Sequence, residues 1–400
     1  MEPDTNDIIS FQELSLDKDI ELEELEEEDE LEEYITLGIL EKPKHPKFLL
    51  RHLFPSKTGG APAWLDPLDL PTGKSSICDF CEEPLQFLLQ IYAPISDKES
   101  TFHRMLYVFL CPSMSCLLQN QYEQWKHREE DPRRSVKVFR CQLPRFNAFY
   151  SSEPPRRDGY DKPLSVGAAL CSWCGTWKGE KVCSSCKRAR YCSEKHQAMH
   201  WKSGHKIQCH QIICNLETNS SSVPREKPPD KVACSILWPE YEMVIEDECA
   251  YDLEASEDTS CETSSLVPKH VTDDTYQFLL DKFEADDNKK SWASFQERIS
   301  KCPSQVLRYS RELMANPLWL LSIGRPSLVN IPKCKYCNGS LCYEFQIMPQ
   351  LLYYLGVKND SDSLDWGTIV IYTCLASCES SVRYKEEFSW VQLYPTAPVT

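Results

Sequence analysis

The sequence predicts an α+β fold that is mostly β: two related β-rich repeats, each tied by zinc, with a compact zinc module inserted between them. Strand-like runs recur on both sides of the module, and cysteine pairs with metal-ligand spacing accompany them. A chain of 400 residues is long enough for two or three domains. The predicted parts, in order, are an acidic disordered arm (1–36), an N-terminal β-rich repeat (37–165), the zinc module (168–214), a flexible acidic linker (215–270) and a C-terminal domain (271–400).

The arm holds most of the charge imbalance of the chain. The formal net charge is -17, and between Glu13 and Glu33 there are 13 carboxylates against the single Lys18. Repulsion at this density predicts a disordered segment, which either binds a basic partner or only keeps the protein soluble. The acidic balance also argues against a general nucleic-acid binder.

The N-terminal repeat combines an aromatic loop with strands and cysteine pairs. The loop FPSKTGGAPAWL (54–65) is rich in Gly and Pro, and its Phe54 and Trp64 predict a structured turn pinned by buried aromatic rings. Strand-like LQFLLQIYAP follows Cys78-x2-Cys81, MLYVFL runs into Cys111-x4-Cys116, and SVKVFRCQLP closes the repeat after a helix-like stretch.

The zinc module has eight soft ligands in four pairs within 39 residues. The pairs are Cys171-x2-Cys174, Cys183-x2-Cys186, Cys192-x3-His196 and His205-x3-Cys209. Each Cys-x2-Cys aims two thiolates at one ion, and each i,i+4 pair lies on one helix face. Two closed tetrahedral zinc sites are predicted, with no position left for a catalytic water.

The module resembles a MYND finger. The order of the pairs carries the resemblance, together with Tyr191, Gln197 and Trp201. It implies interleaved sites, with Cys171, Cys174, Cys192 and His196 on one zinc and Cys183, Cys186, His205 and Cys209 on the other. Fingers of this family bind proteins, often short proline-rich peptides. His200 stands where the family usually has an acidic residue, and it could compete as a ligand or serve as an ordinary surface or supporting histidine.

The end of the chain repeats the beginning. A helical region is expected from about Thr275 to Ala315, including QVLRYSREL. A shift of 256 positions aligns Cys78 with Cys334, Cys81 with Cys337 and LQFLLQIYAP with LCYEFQIMPQ. TIVIYT then runs into Cys374-x3-Cys378 as MLYVFL runs into Cys111 and Cys116, and EFSWVQLY closes the second repeat.

Each repeat offers four cysteines as two separated pairs, the layout of a zinc ribbon. The predicted ligands are Cys78, Cys81, Cys111 and Cys116 in the first repeat and Cys334, Cys337, Cys374 and Cys378 in the second. Buried thiols without metal, or pairing across the repeats such as Cys78/Cys81 with Cys374/Cys378, are the open alternatives.

Several longer segments together resemble the programmed cell death protein 2 family. They are FPSKTGGAPAWL, CDFCEEPLQFLLQIYAP, FRCQLPRFNAFYSSEPP, the finger, QVLRY, EFQIMPQLLYYL and DWGTIVIYTCLASC, in that order. The resemblance implies a cytoplasmic and nuclear protein of ribosome biogenesis, acting as a dedicated chaperone for a basic small-subunit ribosomal protein. The family is also linked to apoptosis and stem-cell maintenance.

The remaining expectations concern compartment and rival functions. The start MEPDTNDIIS lacks a secretory signal, and no run approaches the roughly 20 apolar residues of a membrane span, so the 21 cysteines should sit reduced in cytosol or nucleus. No phosphate loop, nucleophile elbow or His-Glu-x-x-His motif supports an enzyme. Basic residues of the finger could bind nucleic acid, although the net charge favours solvated faces. The alternative function is a nuclear MYND-finger scaffold or transcriptional co-regulator.

Overall fold

A computed structural model describes residues 34–126, 133–156, 166–218, 237–254, 287–358, 360 and 362–394. Nearly all of the predicted acidic arm, much of the predicted linker and the segment DTYQFLLDKF lie outside these residues.

Ten antiparallel strands close into one barrel. Around the barrel the order is β1-β8-β2-β3-β4-β5-β12-β11-β10-β9, and β9 returns to β1. The described residues form twelve strands, and β6 and β7 pair as a hairpin in the finger. In chain order the strands are β1 (Thr36–Glu41), β2 (Lys57–Thr58), β3 (Gln86–Tyr92), β4 (His103–Leu110), β5 (Val136–Leu143), β6 (Lys181–Val182), β7 (Arg190–Tyr191), β8 (Tyr241–Asp247), β9 (Gln305–Tyr309), β10 (Leu341–Ile347), β11 (Thr368–Cys374) and β12 (Tyr384–Gln392). We call β1 to β5 the N-terminal half and β9 to β12 the C-terminal half.

Alternation along the strands separates an inner from an outer core. In β4, Leu106, Val108 and Leu110 join the apolar cluster inside the barrel, whereas Tyr107 and Phe109 join the cluster outside it. Successive strand residues point to opposite faces, and here both faces are covered. All eight residues of β4 are therefore buried, and from Met105 to Leu110 the strand is continuously apolar instead of alternating.

Strands β3 and β10 share an irregularity. The register of β3 against β4 shifts between Phe87 and Leu89, and that of β10 against β11 shifts between Tyr343 and Phe345. These positions are 256 residues apart, the offset that also separates Cys78 from Cys334 and Cys81 from Cys337. In both strands the bulge turns two consecutive residues toward the barrel interior.

The helices are α1 (Met114–Gln124), α2 (Glu194–His200), α3 (Lys206–Thr218), α4 (Cys249–Glu254), α5 (Asp287–Lys301) and α6 (Leu351–Tyr354). A π-helical turn, Trp201–His205, joins α2 to α3. Short 3₁₀ turns lie at Pro46–Leu49, Arg51–Leu53, Gly73–Ser76, Glu99–Thr101 and Leu328–Asn330.

Helix α1 completes the seam where the two halves meet. Strands β5 and β12 pair directly over only four residues, Tyr384 to Glu387. Beyond that point the Gln124 amide accepts from the Val391 N–H at 2.9 Å and donates to the Val391 carbonyl at 2.9 Å. Gln121 accepts from Leu393 N–H at 2.8 Å. Side-chain amides thus replace a missing backbone partner, which keeps the buried strand edge hydrogen-bonded.

Two predictions about the elements were wrong. QVLRY, expected in a helix, is strand β9, and both of its faces are buried: Val306 and Leu307 are inside, and Arg308 is only 3% exposed because it pairs with Glu248 at 2.7 Å. The predicted flexible linker contains β8, which fills the barrel between β1 and β2. Among the residues of β8 only Met243 is buried, and the strand carries carboxylates on its exposed positions. Its sequence therefore resembles that of an acidic linker.

In the described part of the chain, no helix combines the length and the apolar character that crossing a membrane requires.

Candidate metal centres

The structure gathers the sixteen predicted ligands into four clusters of four. In each cluster the candidate ligand atoms all lie within 4.8 Å of one another. The clusters are the N-terminal site (Cys78, Cys81, Cys111, Cys116), the first finger site (Cys171, Cys174, Cys192, His196), the second finger site (Cys183, Cys186, His205, Cys209) and the C-terminal site (Cys334, Cys337, Cys374, Cys378). The cysteines of the two repeats therefore group within each half and not across them.

The spacing of the sulfurs fits tetrahedral zinc. Zn–S bonds of about 2.3 Å in a tetrahedron place two sulfurs about 3.8 Å apart. The Sγ–Sγ distances are 3.6 Å for Cys81–Cys111, 3.9 Å for Cys183–Cys209 and 3.7 Å for Cys334–Cys378. These are far longer than the roughly 2.05 Å of a disulfide. With four N or S donors each, the clusters fit closed structural zinc sites.

Each site contains one Cys-x2-Cys turn with the same backbone geometry. The residue that follows the second cysteine has a left-handed backbone and donates its N–H to the carbonyl of the first cysteine. These residues are Glu82 (φ 59°, 2.9 Å), Gly175 (φ 66°, 2.8 Å), Lys187 (φ 57°, 3.1 Å) and Asn338 (φ 59°, 2.8 Å). Three of the four are not glycine and adopt a conformation that costs roughly 1 kcal/mol. Metal coordination by both flanking thiolates offsets that cost.

Some ligands are poised to ionise before metal arrives. A hydrogen bond from the Cys111 thiol lowers the pKa of Cys78 to about 5. The backbone N–H of Gly339 donates to the sulfur of Cys337 at 3.4 Å and lowers the pKa of that thiol. The hydrogen bond with Cys78 raises the pKa of the Cys111 thiol well above its usual range, so one thiol of this pair ionises first and the other keeps its proton until zinc displaces it.

The finger histidines present different nitrogens to the two finger sites. His196 turns Nδ1 toward Cys192 at 3.1 Å, and His205 turns Nε2 toward Cys186 at 3.7 Å. His200 belongs to neither ligand set: its ring stacks on His205 with centroids 4.7 Å apart, and its Nδ1 lies 3.2 Å from the Tyr191 hydroxyl. His200 therefore supports the ring of a ligand and does not compete with it.

The finger is joined to the barrel by two tryptophans. Trp177 is 1% exposed and packs on Phe109 of β4 with ring centroids 4.3 Å apart. Its indole N–H donates to the Leu85 carbonyl at 2.7 Å. Trp64, from the predicted aromatic loop, donates to the Thr176 carbonyl of the finger at 2.9 Å. Finger and barrel thus share one apolar cluster.

A cleft of about 810 Å³ lies between the N-terminal and C-terminal sites and is bounded by Cys78 and Cys334. Its floor includes Phe388 and Trp390 of β12, and the Arg134 guanidinium lies 4.8 Å from the Phe388 ring. The rim carries both lysines and carboxylates, so the cleft is of mixed character.

Sequence reasoning missed the polar residues that surround the C-terminal site. Lys98, Arg140, Gln142 and Arg311 all donate to its second cysteine turn. Nothing in their sequence spacing marks them, because three of them lie more than 200 residues before that turn.

Comparison with known families agrees with this architecture. The profile for the N-terminal domain of programmed cell death protein 2 matches residues 34–157, that for its C-terminal domain matches 289–393, and the MYND finger profile matches 171–209. No solved structure matches the chain.

Three curated relatives show how far the similarity extends. Programmed cell death protein 2 of Bos taurus is 36% identical over 368 residues, covering 89% of this chain and 95% of the relative. Programmed cell death protein 2-like of Homo sapiens is 26% identical over 364 residues, covering 85% and 90%. Probable 20S rRNA accumulation protein 4 of Schizosaccharomyces pombe is 30% identical over 103 residues, covering 24% and 25%.

Proposed function

The chain belongs to the programmed cell death protein 2 family, and we propose that it is a dedicated chaperone and assembly factor for a basic small-subunit ribosomal protein. Family membership is the observation that carries this proposal. The similarity to a fission-yeast protein named for 20S rRNA accumulation supports a role in ribosome biogenesis. Such a role places the protein in both cytoplasm and nucleus, where the client is made and assembled.

The proposal needs binding surfaces and no catalytic centre. Each of the four zinc sites has four protein ligands, which leaves no coordination position for a reacting water. Zinc therefore shapes the protein and does not take part in a reaction.

The barrel supplies the rigid body of the chaperone, and we infer that its two halves descend from one duplicated unit. Matching cysteine clusters, strand order and bulges 256 residues apart support this inference. The cleft between the two outer zinc sites is a candidate place for a client segment, and its mixed rim suits a polar peptide better than a purely apolar one.

The acidic arm is proposed to shield the client. A ribosomal protein without its RNA exposes cationic surfaces, and the 13 carboxylates from Glu13 to Glu33 offer them a dense run of negative charge. Long-range attraction of this kind raises the association rate and makes it depend on salt, with little effect on dissociation.

The finger provides a second binding surface in this proposal, for proline-rich peptides. Trp201 is 40% exposed and accessible to such a ligand, whereas Tyr191 is completely buried and cannot line a groove. A peptide titration followed by Trp201 fluorescence, with Trp201→Phe as the control, tests this role separately from client binding.

Purification of tagged protein from ribosome-free lysate tests the central claim. A stoichiometric basic ribosomal protein is expected, and its absence from repeated purifications would contradict the proposal. With the client in hand, Gln at Glu23, Glu24, Glu26, Glu27, Glu28 and Glu30 should slow association and flatten its salt dependence. A matched control neutralises six carboxylates between Asp252 and Asp273: Asp252, Glu254, Glu257, Asp258, Glu262 and Asp273. Equal effects of both variants would assign the result to net charge and not to the arm.

A further inference from the structure

The second cysteine turn of the C-terminal site, Cys374 to Cys378, has all five of its backbone carbonyls bound by side chains. Arg311 donates to Cys374 and Leu375 at 3.3 and 2.8 Å, Lys98 to Ala376 and Ser377 at 3.1 and 3.0 Å, Gln142 to Ser377 at 3.1 Å, and Arg140 to Cys378 at 3.2 Å. Five consecutive carbonyls held by three cations and one amide tie the turn to both halves of the barrel.

Three of these four donors come from the other half of the barrel. Lys98 follows β3, and Arg140 and Gln142 lie in β5, whereas the turn joins β11 to β12. The cation contact at the N-terminal site lies on its first cysteine turn and comes from the same half: Arg133 donates to the carbonyls of Asp79 and Phe80 at 2.5 and 3.5 Å. The two outer zinc sites therefore differ in where their supporting cations originate.

Arg140 also faces the charge of the C-terminal site. Four thiolates around Zn²⁺ carry a net charge of about -2. The Nη2 atom of Arg140 lies 3.7 Å from the Cys378 sulfur, while its Nε donates to Glu387 of β12 at 2.5 Å. Glu387 in turn accepts from the N–H of Cys374 at 3.0 Å. Both side chains are at most 1% exposed, so solvent screens these charges weakly.

We infer that the C-terminal zinc site is assembled by both halves, with Lys98, Arg140 and Gln142 as positioning residues, and that zinc at this site keeps the barrel closed along β5 and β12. The direct pairing there is only four residues long, and it includes Arg140 opposite Lys385 and Val138 opposite Glu387. Loss of the metal frees the turn, and with it the Arg140–Glu387 bridge that spans the seam. This inference is independent of the proposed client.

Hydrogen exchange of the full-length protein tests this inference with a matched pair of variants. Cys337 and Cys81 are each the exposed ligand of their site. Cys337→Ser should speed exchange in peptides covering 136–143 and 384–392 by about tenfold or more, the effect of losing roughly one charged hydrogen bond. Cys81→Ser should leave the seam peptides protected. Equal seam exchange in the two variants would overturn the inference.

A second pair of variants leaves all zinc ligands intact and decides the matter if Cys337→Ser does not fold. Lys98→Met removes a partly exposed cation that holds the second cysteine turn of the C-terminal site. Arg133→Met is the control, because it removes a cation that holds the first cysteine turn of the N-terminal site, and it should leave the C-terminal thiols alkylated at the wild-type rate. During a timed chelator challenge with thiol alkylation, Lys98→Met should expose Cys334, Cys337, Cys374 and Cys378 several-fold faster than wild type. Alkylation of these thiols at the wild-type rate would refute the positioning role.

Discussion

Replacing Trp177 with alanine should destabilise the barrel as well as the finger. The Trp177 ring is 1% exposed, contacts Phe109 at 4.3 Å and Phe139 at 6.5 Å between centroids, and donates to Leu85. Deleting a buried tryptophan costs about 3–5 kcal/mol because a cavity remains. Trp177→Phe keeps most of the ring but leaves the buried Leu85 carbonyl without its donor, a loss of about 1–3 kcal/mol.

Urea unfolding followed by far-UV circular dichroism measures both values, with zinc content determined on the same samples. The control is Trp201→Ala, because Trp201 is in the finger but 40% exposed, and it should cost less than about 1 kcal/mol. If Trp177→Ala lowered stability no more than Trp201→Ala, the finger would be an independent domain and the shared core would contribute nothing to the barrel.

Three further results are expected. Elemental analysis should find four zinc ions per chain, one for each cluster, and a content of only two would leave the outer sites without metal. Chelation should unfold the finger, because structural zinc binding is coupled to folding. Arg104→Met should lower the free energy of urea unfolding by about 3–5 kcal/mol, because the buried Glu344 loses the guanidinium that contacts it at 2.5 and 2.7 Å. Adding Glu344→Leu should recover part of that loss. Burial lowers the pKa of His103 to about 4, so the unfolded chain binds more protons between about pH 4 and 6.5 and the folded state loses stability as the pH falls. Between pH 7.5 and 5.5 the wild type should lose about 1 kcal/mol more than His103→Phe, and parallel pH profiles would contradict this.

The metal ligands were predictable because their spacing is local. A Cys-x2-Cys turn such as Cys334 to Cys337 is set by a few backbone torsions, and a short motif records it completely. The aromatic loop was similarly visible, since Trp64 among Gly and Pro residues signals a turn with a buried ring.

The closed barrel could not be predicted in the same way, because its pairings join distant parts of the chain. Strand β8 has the composition of a linker and is a strand only because β1 and β2 flank it. The sequence of β9 predicts a helix, because the burial of Arg308 against Glu248, a partner 60 residues away, cannot be seen in the local sequence. Propensity is a weak guide where tertiary pairing decides the conformation.

The position of β1 has a consequence for protein synthesis. Its partners Asp247 and Tyr309, opposite Thr36, leave the ribosome roughly 210 and 270 residues later, a delay of about 10–55 s at 5–20 residues per second. Until β8 emerges the nascent β1 has two open edges, and until β9 follows it has one. The side chains of Leu37 and Leu40 wait as long for the neighbours that bury them. The carboxylates from Glu13 to Glu33 emerge immediately before β1, and those of one nascent chain repel those of its neighbours on a polysome. In the sequence they stand where gatekeeper residues oppose edge-to-edge pairing of the first strand made, which waits for both of its partners.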